Sequence, residues 1–268
     1  MRIFDAHNHL QDEWLSPYLS RVIGDLESLG IAGAVVNGTI DSDWEQVARL
    51  AHDHPWVIPS YGVHPWRVAD RCADWEAMLG ARLDEGGAIG EIGLDRWKEG
   101  GNFVDQEVVF RTQLRMAVER NVPATIHCLR AWGTLWDIVR TEPVPECGFL
   151  LHAYGGPAEM IEGFARRGAY FSFNGYFLAK QRHRKRETFL SVPIDRLLVE
   201  SDAPAMPVPV ELNRYPLPET AEHEPVNHPG NVAVAYEGLA ALRGMGIEEL
   251  ANVVETNFQR LFGYICRR

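Results

Sequence analysis

Apolar and polar positions follow two rhythms along this chain: short runs rich in β-branched and aromatic residues, and longer stretches with helical spacing. The short runs predict eight strands, at 2–9, 33–39, 57–63, 88–94, 123–128, 148–154, 170–174 and 197–201. The helical spacing predicts helices near 42–53, 73–85, 105–120, 131–140, 157–167, 180–190, 231–243 and 247–262. Strands that alternate with helices form parallel sheets, and eight such units close a barrel. We therefore predict an α/β fold of the TIM (β/α)8 barrel type.

The length of the chain fits one such barrel. Its 268 residues are 46% hydrophobic, which is enough to bury a substantial core, so we expect a single domain over 1–268. No apolar stretch is long enough to span a bilayer, and the first residues lack a signal-peptide core. We expect a cytoplasmic protein, without a membrane segment, whose cysteines at 72, 128, 147 and 266 stay reduced.

The charge balance argues against one class of partner. Lys and Arg total 26 against 37 Asp and Glu, a formal net charge of -11. Proteins that hold long nucleic acid through phosphate contacts present a broad basic surface instead. The balance therefore disfavours a duplex-DNA binder and remains compatible with an enzyme that contacts a few phosphates.

Two connections stand out. Residues 203–230 form a long Pro-rich stretch with little periodicity directly after the eighth strand, and such loops in compact domains are usually functional. Residues 181–186 form a basic run after the seventh strand. That run either adds positive potential near a site at the strand ends or forms the solvated side of a helix.

Six side chains that can donate to a metal fall at or near strand ends: His7, His9, Glu91, His127, His152 and Asp202. The carboxyl ends of all strands in a βα barrel lie at one face, so ligands distant in sequence can converge there. His7 and His9 share one face of the first strand, together with Asp5, which we predict to accept a hydrogen bond from an imidazole. An isolated histidine pair of this kind is also common at a surface strand end.

The other candidates have alternatives too. Glu91 lies inside an apolar strand between glycines, where a carboxylate is costly unless it is ion-paired or bound to metal, and its two oxygens can bridge two cations. His127 and His152 each close an apolar run, where a hydrogen-bonded core histidine is the other interpretation. Asp202 ends the eighth strand and could take a proton from metal-bound water as a general base.

The donor set contains nitrogen and carboxylate oxygen without thiolate. This set suits Zn, Mn, Mg or Fe in a hydrolytic site better than a structural zinc site. The number of ligands favours two divalent metal ions, which would stabilise the attacking and leaving oxygens of a displacement at phosphorus.

An ordered set of motifs carries a family resemblance. The motifs are DAHNH at 5–9, GVHP at 62–65, GEIGLD at 90–95, IH at 126–127, LHAYGG at 151–156, FSFNG at 171–175, ESDAP at 200–204, NHPGN at 227–231 and TNFQRLFG at 256–263. Over essentially its whole length the chain resembles the TatD family of metal-dependent hydrolases. The resemblance implies an amidohydrolase-type TIM barrel, a divalent-metal site and phosphodiester hydrolysis of DNA.

The resemblance also implies roles for individual residues. His7, His9 and Asp202 would hold the first metal and His127 and His152 the second, with Glu91 bridging both. Asp202 would also be the general base. His64 would contact the scissile phosphate, unless it is only a turn histidine before Pro65, and Asp95 and Asn174 would support the site.

This chain departs from the family pattern at three places. The segment 219–224, which precedes NHPGN, is acidic where relatives are commonly basic. Arg130 is displaced by one residue, and Trp66 stands where many relatives have a second histidine. The resulting hypothesis is a metal-dependent hydrolase of a phosphate ester, such as a DNA end or a single strand. The alternatives are a hydrolase of small phosphoesters, amides or lactones, and a non-catalytic protein that binds partners through Trp-rich loops.

Overall fold

Eight parallel strands form one sheet in sequence order. The structure is a computed structural model and describes residues 1–97 and 101–263. The strands are β1 (Ile3–Asn8), β2 (Ile31–Asn37), β3 (Val57–Tyr61), β4 (Ala88–Asp95), β5 (Ala124–Leu129), β6 (Phe149–Leu151), β7 (Ala169–Asn174) and β8 (Leu197–Glu200). Past β8, Asp202 N–H donates to His7 O at 2.9 Å and His9 N–H donates to Ala203 O at 2.8 Å, which joins the last strand to the first. The predicted TIM-barrel fold is confirmed.

Helices connect the strands. They are α1 (Leu19–Leu29), α2 (Trp44–Asp53), α3 (Trp75–Glu85), α4 (Phe103–Arg120), α5 (Trp132–Thr141), α6 (Ile161–Arg166), α7 (His183–Thr188), α8 (Val232–Arg243) and α9 (Ile247–Phe262). The helices α2 to α9 lie where the periodicity predicts them, although α6 and α7 are shorter. Among the described residues, no helix is both long and apolar enough to cross a membrane.

The helix α1 was absent from the sequence prediction. Its buried residues Val22 and Leu26 stand four positions apart, as an amphipathic helix requires. The helix ends at Gly30, whose φ of 84° lies in the left-handed region and whose N–H caps the carbonyls of Leu26 and Glu27. The sequence signal for this helix was therefore present and was missed.

The strands are buried almost throughout, as expected when helices cover one face and barrel side chains fill the other. Every residue of β1, β4, β7 and β8 is buried. The outer layer is tied to β1 by Tyr236 of α8, whose hydroxyl donates to Phe4 O at 2.9 Å and accepts from Phe4 N at 3.1 Å. This packing fixes the strand ends that carry the candidate ligands.

The long connection between β8 and α8 is irregular, with short 3-10 turns at Val210–Leu212 and Pro229–Asn231. Its end folds back on the barrel: Asn227 N–H donates to Pro204 O at 2.8 Å, and Asn227 Nδ2 donates to Ser201 O at 2.9 Å. The connection is therefore anchored beside the end of β8. Its functional role stays a prediction. Cys72, Cys128 and Cys147 are free thiols, and Cys266 lies outside the described residues.

Candidate active site

The structure brings the six predicted metal ligands together at the strand ends. Glu91 lies between the others. Its Oε1 is 2.8 Å from His152 Nε2 and 3.0 Å from His127 Nδ1. Its Oε2 is 3.2 Å from His9 Nε2 and 3.5 Å from His7 Nε2. One buried carboxylate thus turns one oxygen to each of two histidine pairs.

Asp202 lies beside the pair formed by His7 and His9. Its Oδ1 lies 3.3 Å from His7 Nε2 and 3.6 Å from His9 Nε2. The Nε2 atoms of these two histidines are 3.2 Å apart, and His127 Nδ1 lies 3.3 Å from His152 Nε2. The ring nitrogens within each pair therefore point at a common position.

The charges of the cluster depend on one another. Burial by itself raises the pKa of Glu91, but the surrounding histidines outweigh it and hold that pKa well below its ordinary value. Burial likewise lowers the pKa of His152, but Glu91 and Glu200 raise it well above the usual value. The buried charge of Glu91 is therefore tolerated because positive charge lies within a few ångströms, and a bound cation would supply the same positive charge.

The histidines are oriented by oxygen atoms on their far sides. His9 Nδ1 lies 2.7 Å from Asn37 O and His127 Nε2 lies 2.8 Å from Asp95 Oδ2, so each of these nitrogens carries the proton and donates it. The remaining nitrogen, His9 Nε2 or His127 Nδ1, then offers a lone pair to the cluster. This is the tautomer that metal-binding histidines require.

His7 obtains its partner from the Asn37 side chain. The Asn37 amide nitrogen lies 3.0 Å from His7 Nδ1, and Asn37 Oδ1 has no hydrogen-bond partner among the described residues. Asn37 Nδ2 also donates to Val35 O at 3.2 Å. If the amide rotates by half a turn, it loses that bond, and Oδ1 accepts a hydrogen bond from His7 Nδ1–H, which leaves His7 Nε2 free for a cation. The lack of a partner for Asn37 Oδ1 within the described chain favours the rotated amide, and with it the His7 tautomer that can bind a metal ion through Nε2.

Glu200 supports His152, and sequence reasoning missed this role. Its Oε1 lies 3.6 Å from His152 Nδ1, and its carboxylate also accepts from the hydroxyl of Ser172 and from Asn174 Nδ2 at 3.3 Å. The signal was a second carboxylate at the end of β8, two residues before Asp202. Asn37 was missed in the same way, although it closes the apolar run of β2.

Asp95 and Asn174 stand beside the site, where the resemblance implied supporting residues. Besides His127, Asp95 Oδ2 accepts from Trp66 Nε1 at 2.9 Å. Asn174 Oδ1 accepts from Tyr176 N at 2.8 Å, which caps the short 3-10 turn after β7. Asp95 therefore joins His127 to the turn after β3, and Asn174 joins Glu200 to the turn after β7.

The prediction for Asp5 was wrong. Asp5 accepts from Ser201 N at 2.9 Å, Ser201 Oγ at 2.6 Å and Asn8 Nδ2 at 3.1 Å, and no imidazole in the described chain donates to it. Closure of the barrel brings the residue after β8 against β1, so Asp5 joins the two ends of the sheet. Burial raises the pKa of Asp5 to about 6.

His64 is a turn histidine, as one of its two interpretations predicted, and its contact with a phosphate stays a prediction. Its Nδ1 accepts from Trp66 N at 3.1 Å and caps the 3-10 turn Pro65–Arg67. The proton of the neutral ring is therefore on Nε2, which lies 3.5 Å from Glu91 Oε1. Burial lowers the pKa of His64 to about 4, so the ring is neutral near pH 7. It can donate a hydrogen bond into the site, but it offers no lone pair to a cation there.

Residues of the basic run 181–186 contact two different parts of the protein. Arg182 donates to the Tyr176 hydroxyl, and Arg186 donates to Leu178 O at 3.3 Å, so both hold α7 against the preceding turn. Lys185 Nζ reaches the loop after β6, 3.5 Å from the position of a Cβ on Gly155. One cation of the run therefore lies near the loop that carries His152.

Arg130 and the acidic segment 219–224, where the sequence departs from the family pattern, lie on the surface. Arg130 is exposed after β5, with a φ of 56°. The acidic residues Glu219, Glu222 and Glu224 are exposed on the long connection. Glu219 and Glu222 lie near Trp14, in the connection between β1 and α1. The acidic segment thus lies beside the connection between β1 and α1.

Residues 4–263 match the sequence model of the family described as TatD related DNase. The chain is 31% identical to the 3'-5' ssDNA/RNA exonuclease TatD of Escherichia fergusonii, over 97% of this chain and 99% of that protein. It is 29% identical to the metal-dependent hydrolase YabD of Bacillus subtilis, over 97% and 98% of the two chains. The crystal structure of YjjV, a TatD homologue from Escherichia coli K12, superposes with a TM-score of 0.87 at 23% identity, covering 97% and 98%. The chain belongs to the TatD-related DNase family and is a metal-dependent hydrolase.

Proposed function

We propose that this protein hydrolyses phosphodiester bonds in single-stranded nucleic acid with two divalent metal ions, such as Zn, Mg or Mn. The observation that carries the proposal is the position of Glu91, whose two oxygens face two separate histidine pairs. His7, His9 and Asp202 would hold one ion, His127 and His152 the other, and Glu91 would contact both. Cations held there would activate water and neutralise charge on the phosphate.

The side chains at this site have distinct tasks. Asp202 is buried, and the imidazoles of His7 and His9 beside it outweigh the effect of burial and lower its pKa. We assign it as the general base, because its ionised carboxylate lies at the edge of the cluster. His64 would donate its Nε2 proton to a phosphate oxygen, and its neutral state suits that task.

We choose a single-stranded substrate because of the charges on this chain and because of the name that one of its relatives carries. With a net charge of -11, the chain lacks the cationic excess that long duplexes require. Lys185, near the loop after β6, can contact a phosphate neighbouring the scissile one. The relative from Escherichia fergusonii carries the name of a 3'-5' ssDNA/RNA exonuclease. These points support cleavage of flexible strands near the site mouth.

The experiment is a cleavage assay with controlled metal content. The chelator-treated protein receives Zn, Mg or Mn, and single-stranded and duplex oligonucleotides labelled at either end are followed over time. We expect metal-dependent cleavage of the single strand, which Glu91→Gln lowers by at least about 100-fold. His52→Ala, at an exposed position on α2, is the matched control and keeps full activity.

Absence of cleavage in a folded, metal-loaded protein would contradict the proposal. The acidic segment 219–224 favours one second candidate, a hydrolase of small phosphoesters, amides or lactones that needs no extended anionic strand. The same preparation is therefore assayed on a panel of those compounds. Turnover of one of them without cleavage of nucleic acid would make that class the function.

A further inference from the structure

Two tryptophans lie side by side at the edge of the site. Trp66 follows β3 and Trp97 follows β4, and their ring centroids are 6.2 Å apart with planes inclined by 31°. Trp66 is 40% exposed and Trp97 is 53% exposed. Two adjacent exposed rings form a contiguous apolar surface, and surfaces of this kind often mark binding sites.

Asp95 contacts the ring of Trp66 and the backbone of Trp97. Its Oδ2 accepts from Trp66 Nε1 at 2.9 Å, and its Oδ1 accepts from the backbone N–H of Trp97 at 2.6 Å. The same Oδ2 accepts from His127 at 2.8 Å. The Trp66 ring and the Trp97 backbone are therefore both anchored by the residue that also orients a candidate metal ligand, and the Trp97 ring lies against that of Trp66.

The pair adjoins the catalytic cluster. The Trp66 centroid lies 5.2 Å from that of His64 and 6.3 Å from that of His127. A phosphate at His64 would thus place its neighbouring nucleotide against the tryptophans. In proteins that bind single strands, bases next to the bound backbone stack on aromatic side chains in this way.

We propose that Trp66 and Trp97 form a stacking platform for a nucleobase that flanks the scissile phosphate. This inference rests on the proposed function and deepens it by naming how a single strand is recognised. Every unpaired base presents a π face, whereas bases in a duplex are stacked on one another. The platform therefore favours single strands over duplexes and tolerates any sequence.

The test compares oligonucleotides that differ at one base. A single tetrahydrofuran abasic residue is placed in turn at each nucleotide flanking the cleaved bond, and kcat/KM is measured for each substrate. Trp97→Ala is expected to lower kcat/KM about tenfold for the base-containing strand and to leave the strand abasic at the stacked position unchanged. Trp97→Phe keeps a ring and restores most of the difference. The ratio of single-strand to duplex cleavage also falls in Trp97→Ala.

Controls separate stacking from folding and from chemistry. Trp14→Ala removes another exposed tryptophan, between β1 and α1, and leaves all these ratios as in the unmodified protein. Melting temperatures establish that each variant is folded. If Trp97→Ala slows the base-containing and abasic strands equally, or has no effect on either, the platform is refuted while nucleic-acid cleavage stands.

Binding measured without turnover distinguishes the two proposals. Fluorescence anisotropy of a labelled (dT)8 strand is recorded in chelator, with the unmodified protein and with Trp97→Ala. Weaker binding by the variant, in a protein that cleaves no phosphodiester, would support the platform and overturn the proposed function. Equal binding by both proteins would overturn the platform and leave the tryptophans as a surface for another kind of partner.

Discussion

His127 Nε2 lies 2.8 Å from Asp95 Oδ2, and this hydrogen bond leaves His127 Nδ1 facing Glu91 Oε1 at 3.0 Å. The carboxylate of Asp95 fixes both the tautomer and the direction of a ring that would bind metal. Such outer partners raise the basicity of the ligand and limit its rotation. Their contribution can be measured without removing a ligand.

Asp95→Asn should lower kcat and metal affinity by about 10- to 100-fold, because a neutral amide is a weaker acceptor for His127. Cleavage of the abasic oligonucleotide is the appropriate readout, since it excludes any contribution from the tryptophan platform. Asp53→Asn, at the exposed end of α2, serves as the control. Equal kcat in Asp95→Asn and the control would show that His127 needs no such support.

His64→Asn separates hydrogen-bond donation from metal binding. An asparagine at this position can still cap Trp66 N, as Asn174 caps Tyr176 N, but it lacks the imidazole Nε2–H. We expect kcat to fall about 100-fold while the metal content stays unchanged. Metal analysis of the purified variant provides the check, and loss of an ion would instead identify His64 as a ligand.

Lys185→Ala should raise KM for single strands and leave kcat nearly unchanged. Removing one phosphate contact should also reduce the slope of log KM against log salt by about 0.7. Arg184→Ala, an exposed neighbour on α7, gives the background effect of one lost charge. If both variants behave alike, Lys185 makes no specific contact and the run 181–186 is a solvated helix face.

His228 makes the stability of the long connection depend on pH. It is fully buried, its Nδ1 accepts from Gly230 N at 2.9 Å, and burial lowers its pKa to about 4. The unfolded chain, with an ordinary pKa near 6.5, therefore takes up this proton first as pH falls. The contribution of the neutral His228 ring to the free energy of unfolding is complete above about pH 6.5 and is lost progressively toward about pH 4.

Urea unfolding between pH 8 and pH 5 measures this effect. We expect His228 to account for about 2 kcal/mol of the decrease in the free energy of unfolding over that range. His228→Asn keeps an acceptor for Gly230 N without a titrating ring, so its pH dependence should be smaller by that amount. His223→Asn, at an exposed position, should behave as the unmodified protein. Identical slopes in all three proteins would contradict the assignment.

Local sequence pattern predicted most of the fold because barrel strands are covered on both faces and read as apolar runs. It also predicted the cluster, because a polar residue at the end of such a run must lie on the face shared by all strand ends. Glu91 is the clearest case, since its flanking glycines and apolar neighbours leave no solvent for the carboxylate.

The features that sequence did not reveal depend on register and closure. Asp5 was assigned to an imidazole because nothing local indicates that Ser201 will lie against it from the opposite end of the chain. Glu200 and Asn37 were missed because their roles exist only through His152 and the His7–His9 pair. The helix α1 was missed although the predicted helices α2 and α5 are similarly short and also lack a side-chain cap, so its periodicity was readable from the sequence.

The central claim is that Glu91 lies between two cations, one at each histidine pair. Anomalous diffraction from crystals grown with Zn or Mn tests it most directly. We predict two peaks, one bounded by His7, His9 and Asp202 and one by His127 and His152, with Glu91 between them. A single peak, or peaks away from Glu91, would contradict the account.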